Sequence, residues 1–143
     1  MYTTCEAKQA EIKKLFEPLS TEEEKYSKII ELGRTLPPLA ETFKIEENRV
    51  KGCQSQMYLH SDYKEGQVLF QASSDALISS GLAYLLLFVY SGQTPEAILK
   101  CPPTYLEELG ITASLTPNRA NGLYSLHLKM KQDALKHLLK KSI

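Results

Sequence analysis

The spacing of apolar residues in the first quarter of the chain predicts two short amphipathic helices. The first helix ends near Phe16, because Pro18 cannot continue it. Its apolar face consists of Ile12, Leu15, Phe16 and Leu19. The second helix begins at Ser20 or Thr21, each of which has a glutamate three residues later, and it ends before Pro37. Its apolar face consists of Tyr26, Ile29, Ile30, Gly33 and Leu36.

A polar loop and two alternating segments follow these helices. From position 41 to position 49 the helical period disappears, and the stretch 51–56 has no helical or strand period of its own. Apolar and polar residues then alternate over 57–60 and again over 68–72, which is typical of half-buried strands. Turn-forming residues lie between them at 62–66. The pattern therefore predicts an antiparallel β-hairpin.

The second half of the chain is predicted to be helical. Residues 76–89 are apolar on nearly every side, which is typical of a helix in the protein interior, and Asp75 can cap it. A Thr-Pro pair at 94–95 begins a short helix, and a second such pair at 116–117 opens a long last helix. The inner face of that last helix consists of Leu123, Leu126, Met130, Ala134 and Leu138.

The order of these elements predicts an α+β fold. The two β runs are neighbours in sequence, with helices before and after them, so a small antiparallel β-sheet packed against helices is expected. The 143 residues form one domain of ordinary size, 1–143. There is no βαβ alternation and no glycine-rich phosphate loop, which disfavours a nucleotide-binding fold.

Composition and charge narrow the function classes. The 17 basic and 17 acidic side chains cancel, so no overall field attracts nucleic acid or an anionic membrane. The first residues carry acids and lysines where a signal peptide needs an apolar stretch, and the longest apolar run, 81–90, is about half of a membrane span. We expect a cytoplasmic protein with no nucleic-acid partner and no membrane partner.

The chain has three cysteines, and their positions limit what they can do. Cys5, Cys53 and Cys101 are too few and too scattered for a secreted disulfide framework. No two of them form a Cys-x-x-Cys pair, and no Cys/His cluster has the spacing of a zinc site, so no metal is expected. Cys5 and Cys101 are expected to have structural or incidental roles.

Cys53 is the candidate for chemistry, because a cysteine that follows a glycine in a polar loop just before a strand is in a position to protrude. Gly52 can adopt backbone angles that other residues avoid, and it allows another backbone to come close. Sulfur transfer needs a thiolate, which nearby cations and free amide groups favour. Lys51 and the amides of Gln54 and Ser55 are candidates for these roles. The alternative is a small, inert residue that fills the loop.

Arg119 is the second candidate residue. If Thr116 is the N-cap of the last helix, Arg119 occupies its third position, where a cation opposes the helix dipole. Gly122 soon afterwards lowers helix propensity by roughly 1 kcal/mol relative to alanine. Two broken local rules within four residues indicate a site, although an exposed arginine in a frayed first turn is the alternative.

The three histidines do not form a motif with any cysteine. His60 lies on a predicted strand, and His127 and His137 lie on the last helix. Without a partnered base, Cys53 suits a carrier of a transferred group better than an acylating enzyme.

Several segments together resemble the SufE and CsdE proteins. The most specific is Gly52-Cys53-Gln54-Ser55-Gln56, which is similar to the sulfur-acceptor loop of that family. The other shared segments, in the family's order, are 24–26, 29–33, 36–37, 48–51, 74–76, 81–82, 94–95, 115–119 and 121–123. The resemblance covers positions 22 to 123, which is most of the chain.

The resemblance implies a SufE/IscU-like fold, with a three-stranded antiparallel sheet packed against helices. Since only two strands are evident, the third is expected to be short or to lie in the region 43–50. It also implies that Cys53 accepts sulfur and that Arg119 supports the acceptor site or the partner contact. Asp75 matches a family aspartate and is interpreted as a helix cap.

The resemblance further implies the partners and the reaction. A PLP-dependent cysteine desulfurase of the SufS or CsdA kind supplies a persulfide sulfur to Cys53 and is stimulated by this chain. The sulfur then passes to a downstream acceptor or an iron–sulfur scaffold. This chain needs no cofactor of its own, because cysteine turnover belongs to the desulfurase. The alternatives are an iron–sulfur or zinc scaffold of the same fold and a regulator of the desulfurase that transfers no sulfur.

Overall fold

The computed structural model describes residues 4–53 and 55–141, with only the backbone of Lys141. The helices and strands in chain order are α1 (Cys5–Phe16), α2 (Glu22–Arg34), β1 (Met57–Lys64), β2 (Gln67–Ser74), α3 (Leu77–Tyr90), α4 (Pro95–Lys100), α5 (Thr104–Glu108), α6 (Ile111–Ser114) and α7 (Pro117–Lys141). Two 3₁₀ turns, Glu41–Phe43 and Glu46–Asn48, lie between α2 and β1. Helices α3 and α7 pack against the hairpin, so the predicted α+β class is confirmed.

The N-cap of α2 and most of the buried faces of α1 and α2 agree with the sequence prediction. Thr21 caps α2 by accepting a hydrogen bond from the Glu24 amide, and the Glu24 carboxylate accepts one from the Thr21 amide, both at 3.1 Å. Most of each predicted apolar face is buried or half-buried. Leu15 and Tyr26 are instead 39% and 49% exposed, because the neighbouring helices cover a narrower stripe than the apolar spacing predicts.

The hairpin is longer than predicted. Strands β1 and β2 pair from Met57 opposite Ser74 to Lys64 opposite Gln67. The connecting turn contains only Glu65 and Gly66, whose φ angles of 52° and 80° are both left-handed, as a two-residue turn between twisted strands requires. The turn predicted at 62–66 is therefore too wide, because its first three residues belong to the ladder.

The third strand implied by the family resemblance is reduced to a bridge. Within the described residues the sheet has two strands, and Arg49 forms an isolated antiparallel bridge with Tyr58. Beside it, the Val50 amide donates to the Met57 carbonyl at 2.8 Å. This bridge lies at the end of the region where the third strand was expected.

The start of α3 differs from the prediction. Its N-cap residue is Ala76, and no side chain caps it. Asp75, which was predicted to be a helix cap, instead accepts a hydrogen bond from the Gln56 amide at 2.9 Å and donates its own amide to the Gln56 carbonyl at 3.3 Å. The cap prediction is wrong because an amide distant in sequence occupies the carboxylate.

Helices α2 and α3 touch backbone to backbone at two glycines. A Cβ atom added at Gly81 would lie 2.0 Å from the Ile29 carbonyl oxygen, and one added at Gly33 would lie 2.6 Å from the Gly81 nitrogen. Ile29 and most of α3 are buried in the core. The two glycines therefore fix how closely the N-terminal helices approach the central helix.

We predict that Gly81→Ala lowers the free energy of unfolding by about 3 kcal/mol, because the added methyl group meets rigid backbone. Urea denaturation measures this change. Ser80→Ala, one residue earlier in the same helix, is the control and should change stability by less than about 1 kcal/mol. An unchanged urea midpoint in Gly81→Ala would contradict the close contact of α2 and α3.

The last helix has the predicted start and inner face. The Arg119 amide donates to the Thr116 hydroxyl at 3.3 Å, which makes Thr116 the N-cap of α7. The buried residues of its inner face include Leu123, Leu126, Met130 and Ala134. Among the described helices, none has both the length and the apolar character to cross a membrane.

Cys5 and Cys101, which were expected to have structural or incidental roles, form a disulfide. The bond joins the first residue of α1 to the residue after α4, across a sequence separation of 96. Gln9 is buried beside it and donates to the Pro102 carbonyl at 3.0 Å. Spacing in the sequence could not predict this pair, because only the packing of α1 against the core brings the two residues together.

The disulfide leads to a labelling prediction. Alkylation of the denatured chain without reductant should add one label, at Cys53, and alkylation after reduction should add three, as read by intact mass. Reduction should lower the free energy of unfolding by about 2–4 kcal/mol. The double variant Cys5→Ser/Cys101→Ser should show no such response to reductant. Three labels without reduction would contradict the bond.

Candidate functional site

The loop that carries Cys53 is held at both ends. Before the cysteine, the Val50 amide donates to the Met57 carbonyl at 2.8 Å. After it, the Gln56 amide donates to the Asp75 carboxylate at 2.9 Å. The loop is thus closed onto the beginning of β1 and, through Asp75, onto the segment before α3.

Two glycines allow the loop to lie directly on α7. Gly52 has a φ of +85°, and a Cβ at this position would come within 2.8 Å of the Ser125 hydroxyl. A Cβ at Gly122 would lie 3.1 Å from the Cys53 sulfur. Gly52 was expected to allow the approach of another molecule, and in the folded chain it allows the approach of α7. Gly122, which lowers the helix propensity of α7, likewise allows the Cys53 sulfur to lie close to that helix.

The Cys53 side chain turns inward and is half-buried, whereas a protruding thiol was expected. Its sulfur borders a cavity of about 10 Å³, which is close to the smallest space that holds one water molecule. The residues lining this cavity besides Cys53 are Met57, Ser79, Leu82, Asn118, Arg119, Gly122, Leu123 and Leu126. The thiol therefore faces a mainly apolar space of atomic size.

A chain of hydroxyl groups leads from the sulfur to Arg119. The Cys53 sulfur lies 3.1 Å from the Ser55 hydroxyl, which lies 3.2 Å from the hydroxyls of Ser74 and Ser79. Arg119 Nη1 donates to the Ser79 hydroxyl at 2.8 Å. The guanidinium thus reaches the site from α7 through a side chain of α3.

Of the other predicted site residues, Lys51 lies in the turn before Cys53 and is exposed. Gln54 lies outside the described residues, so its predicted role stays a prediction. Ser55 was considered for its amide, and the structure brings its hydroxyl to the sulfur. Among the described contacts, Arg119 is the cation linked to the site.

The histidines pack elsewhere. The His60 ring stacks on Phe43, and His137 lies 3.1 Å from the Ser61 hydroxyl. Burial lowers the pKa of His127 to about 4, so this ring is neutral at physiological pH. None of the three is among the residues that line the Cys53 cavity. Within the described residues, no three His, Cys, Asp or Glu side chains converge as metal ligands do.

Ser74 and Ser79 were not predicted as site residues. Ser79 carried a usable signal, because it is one of two adjacent serines, with Ser80, in a mainly apolar helix. Such a side chain requires a polar partner. The identity of that partner, Arg119, depends on how α7 packs and is not visible from spacing.

The fold and the site together define an α+β domain that holds one free cysteine in a clamped loop against its last helix. The family described as "SufE: Fe-S metabolism associated domain" matches residues 10–134. The chain belongs to the SufE family.

Individual relatives agree with this assignment. An uncharacterized SufE-like protein of Synechocystis sp. is 36% identical over 126 residues, which are 88% of this chain and 79% of that protein. SufE-like protein 1, chloroplastic/mitochondrial, of Arabidopsis thaliana is 38% identical over 132 residues, which are 92% of this chain but only 35% of that protein.

The fold also matches a solved structure. The solution structure of a hypothetical protein from Thermus thermophilus superposes with a TM-score of 0.76 at 28% identity, covering 92% of this chain and 96% of that one. Family membership supports a role in sulfur metabolism with a cysteine desulfurase.

Proposed function

We propose that this chain, as a single SufE-like domain, accepts a persulfide sulfur on Cys53 from a cysteine desulfurase and passes it on for iron–sulfur cluster assembly. The observation that carries the proposal is the placement of the free thiol. Cys53 lies in a clamped loop, beside an apolar cavity and at the end of a hydroxyl chain from Arg119. A cytoplasmic location remains part of the proposal.

The proposed step is thiol–persulfide exchange. The Cys53 thiolate attacks the outer sulfur of the desulfurase persulfide, and a new S–S bond forms on Cys53. The old S–S bond breaks, and its electron pair leaves with the desulfurase cysteine as a thiolate. The outer sulfur keeps its oxidation level, so no external oxidant or reductant is needed. A downstream thiol then removes the sulfur in the same way.

The cavity suits the product of this step. A persulfide adds one sulfur atom to the side chain, and the space beside Cys53 is about 10 Å³. Apolar walls from Met57, Leu82 and Leu126 keep water and soluble thiols away from that atom. In the resting state the loop would cover the persulfide, and it would swing outward into the desulfurase to exchange sulfur.

In its covered position the loop makes only small contacts at Cys53, in its middle. Among the described contacts, the cysteine meets α7 at the small surface of Gly122 and shares a hydrogen bond with the Ser55 hydroxyl, whereas the clamps lie beyond it on either side. An outward swing thus breaks weak contacts and can leave the clamps in place. This arrangement favours a carrier over a rigid metal scaffold.

The test mixes the purified chain with a cysteine desulfurase and cysteine and reads the intact mass. We expect a gain of one sulfur atom on the wild type and none on Cys53→Ser. Desulfurase stimulation that survives in Cys53→Ser would support a regulator that transfers no sulfur. Iron or zinc bound in stoichiometric amount would support a scaffold.

A second prediction concerns Arg119. Because Arg119 is the cation at the end of the hydroxyl chain that reaches Cys53, Arg119→Ala should slow sulfur uptake roughly tenfold, which corresponds to about 1.4 kcal/mol of activation free energy. Its thermal stability should change little, since the Ser79 hydroxyl keeps its contact with Ser55. Arg34→Ala, at an exposed position, is the matched control and should keep the wild-type rate. A stability loss as large as the rate loss would assign Arg119 to the fold instead.

A further inference from the structure

Ser79 is the buried junction between the cation and the thiol. Its side chain is 3% exposed, although helix α3 is otherwise almost wholly apolar. Burying a hydroxyl is unfavourable unless it is hydrogen-bonded. Ser79 has two such partners, the Arg119 guanidinium at 2.8 Å and the Ser55 hydroxyl at 3.2 Å.

The donor and acceptor capacities of the groups between Arg119 and Cys53 limit the directions in which their hydrogen bonds can run. A guanidinium only donates, so the Ser79 oxygen accepts from Arg119. Ser74 already accepts from the Ala76 amide at 3.3 Å, and its hydroxyl donates to Ser55 at 3.2 Å. Ser55 thus receives at least one hydrogen bond and has a single hydrogen to direct, either toward Ser79 or toward the Cys53 sulfur.

The hydroxyl groups of Ser55 and Ser79 can form a hydrogen-bonded chain to Cys53 both when it is a neutral thiol and when it is a thiolate. With a neutral thiol, the S–H group can donate to Ser55, and Ser55 donates to Ser79. With a thiolate, the hydroxyl hydrogens rotate, so Ser79 donates to Ser55 and Ser55 donates to the sulfur. Every hydrogen bond of the second arrangement then points from the guanidinium toward the negative charge. No heavy atom has to move.

We propose that Ser79 and Ser55 form a hydroxyl relay through which Arg119 stabilises the Cys53 thiolate, with Ser79 as its positioning residue. The relay acts while the loop covers Cys53, so it favours the thiolate before the outward swing, and its role in sulfur transfer rests on the proposed function. The relay addresses a physical conflict at the site, because an apolar cavity disfavours an anion, whereas hydrogen bonds to the anion favour it. Arg119 binds Ser79 directly, so its charge reaches the sulfur through hydrogen bonds already oriented in the fold.

The first test needs no desulfurase. The thiolate absorbance of Cys53 and its alkylation rate by iodoacetamide are measured against pH, on unreduced protein in which Cys53 is the free cysteine. In Ser79→Ala both curves should move about 0.5–1 pH unit higher, which lowers the thiolate fraction about three- to tenfold on the acidic side. Ser79→Thr, which retains the hydroxyl, should restore most of the shift. Ser80→Ala, its neighbour outside the relay, should leave both curves unchanged.

A double-variant cycle separates a relay from independent effects. Arg119→Ala should move the curves in the same direction as Ser79→Ala, and the combined variant should move them no further than the larger single shift. Additive shifts would overturn the relay, and so would wild-type curves in Ser79→Ala. If Ser79→Ala does not fold, Ser55→Ala interrupts the same chain from the loop and is judged by the same curves.

Sulfur uptake is then measured on the same variants with a cysteine desulfurase. Shifted curves together with a Cys53 that never gains sulfur would support the relay and overturn the proposed function. Unshifted curves with normal sulfur uptake in Ser79→Ala would overturn the relay and leave the proposed function standing. Shifted curves with slower uptake that recovers at higher pH would support both.

Discussion

The close approach of the Cys53 loop to α7 is the contact on which the rest of the site depends. It exists because neither Gly52 nor Gly122 has a side chain, and any Cβ atom at either position would press against the opposite element. The approach gives the sulfur an inward direction. It also explains why α7 contains a glycine near its start, where helix propensity alone would disfavour it. The packing of the loop against α7 therefore determines where the sulfur lies, and the chemistry of the site follows from that position.

The same contact covers the Cys53 sulfur and leaves the middle of the loop able to change position. Strong backbone hydrogen bonds lie at the two ends of the loop, at Val50 and Gln56, whereas the contacts at the cysteine itself are small. A segment with firm ends and a weakly held centre can change position without unfolding its surroundings. The proposed function requires a thiol that is covered in one state and reaches into another protein in the next, and for that function this distribution of contacts is more suitable than uniform rigidity. The α2–α3 contact at Gly81 is the opposite case, because two helix backbones meet there directly and the proposed function requires no opening between them.

Local patterns in the sequence predicted the elements well, and distant contacts account for the errors. The capping box of α2, the Thr-Pro starts of α4 and α7 and the hairpin all follow from residues within a few positions of each other. Asp75 was misinterpreted because its partner lies 19 residues away, and the disulfide was missed because its two cysteines lie 96 apart. Cys53 was identified from the sequence as the candidate residue of the site, but the link from Arg119 to Ser79 spans 40 residues and required the packed structure.

The local rules that Arg119 and Ser79 break have one physical explanation at the site. A cation in the first turn of a helix is opposed by the dipole, and a buried serine in an apolar helix is unfavourable without partners. When Arg119 and Ser79 meet, each supplies what the other lacks, since the hydroxyl accepts from the guanidinium and the guanidinium satisfies the hydroxyl. A fold could avoid both problems by placing apolar residues at these two positions. That this chain keeps the polar pair, one hydroxyl away from the loop that carries its free thiol, argues that the pair belongs to the chemistry of Cys53.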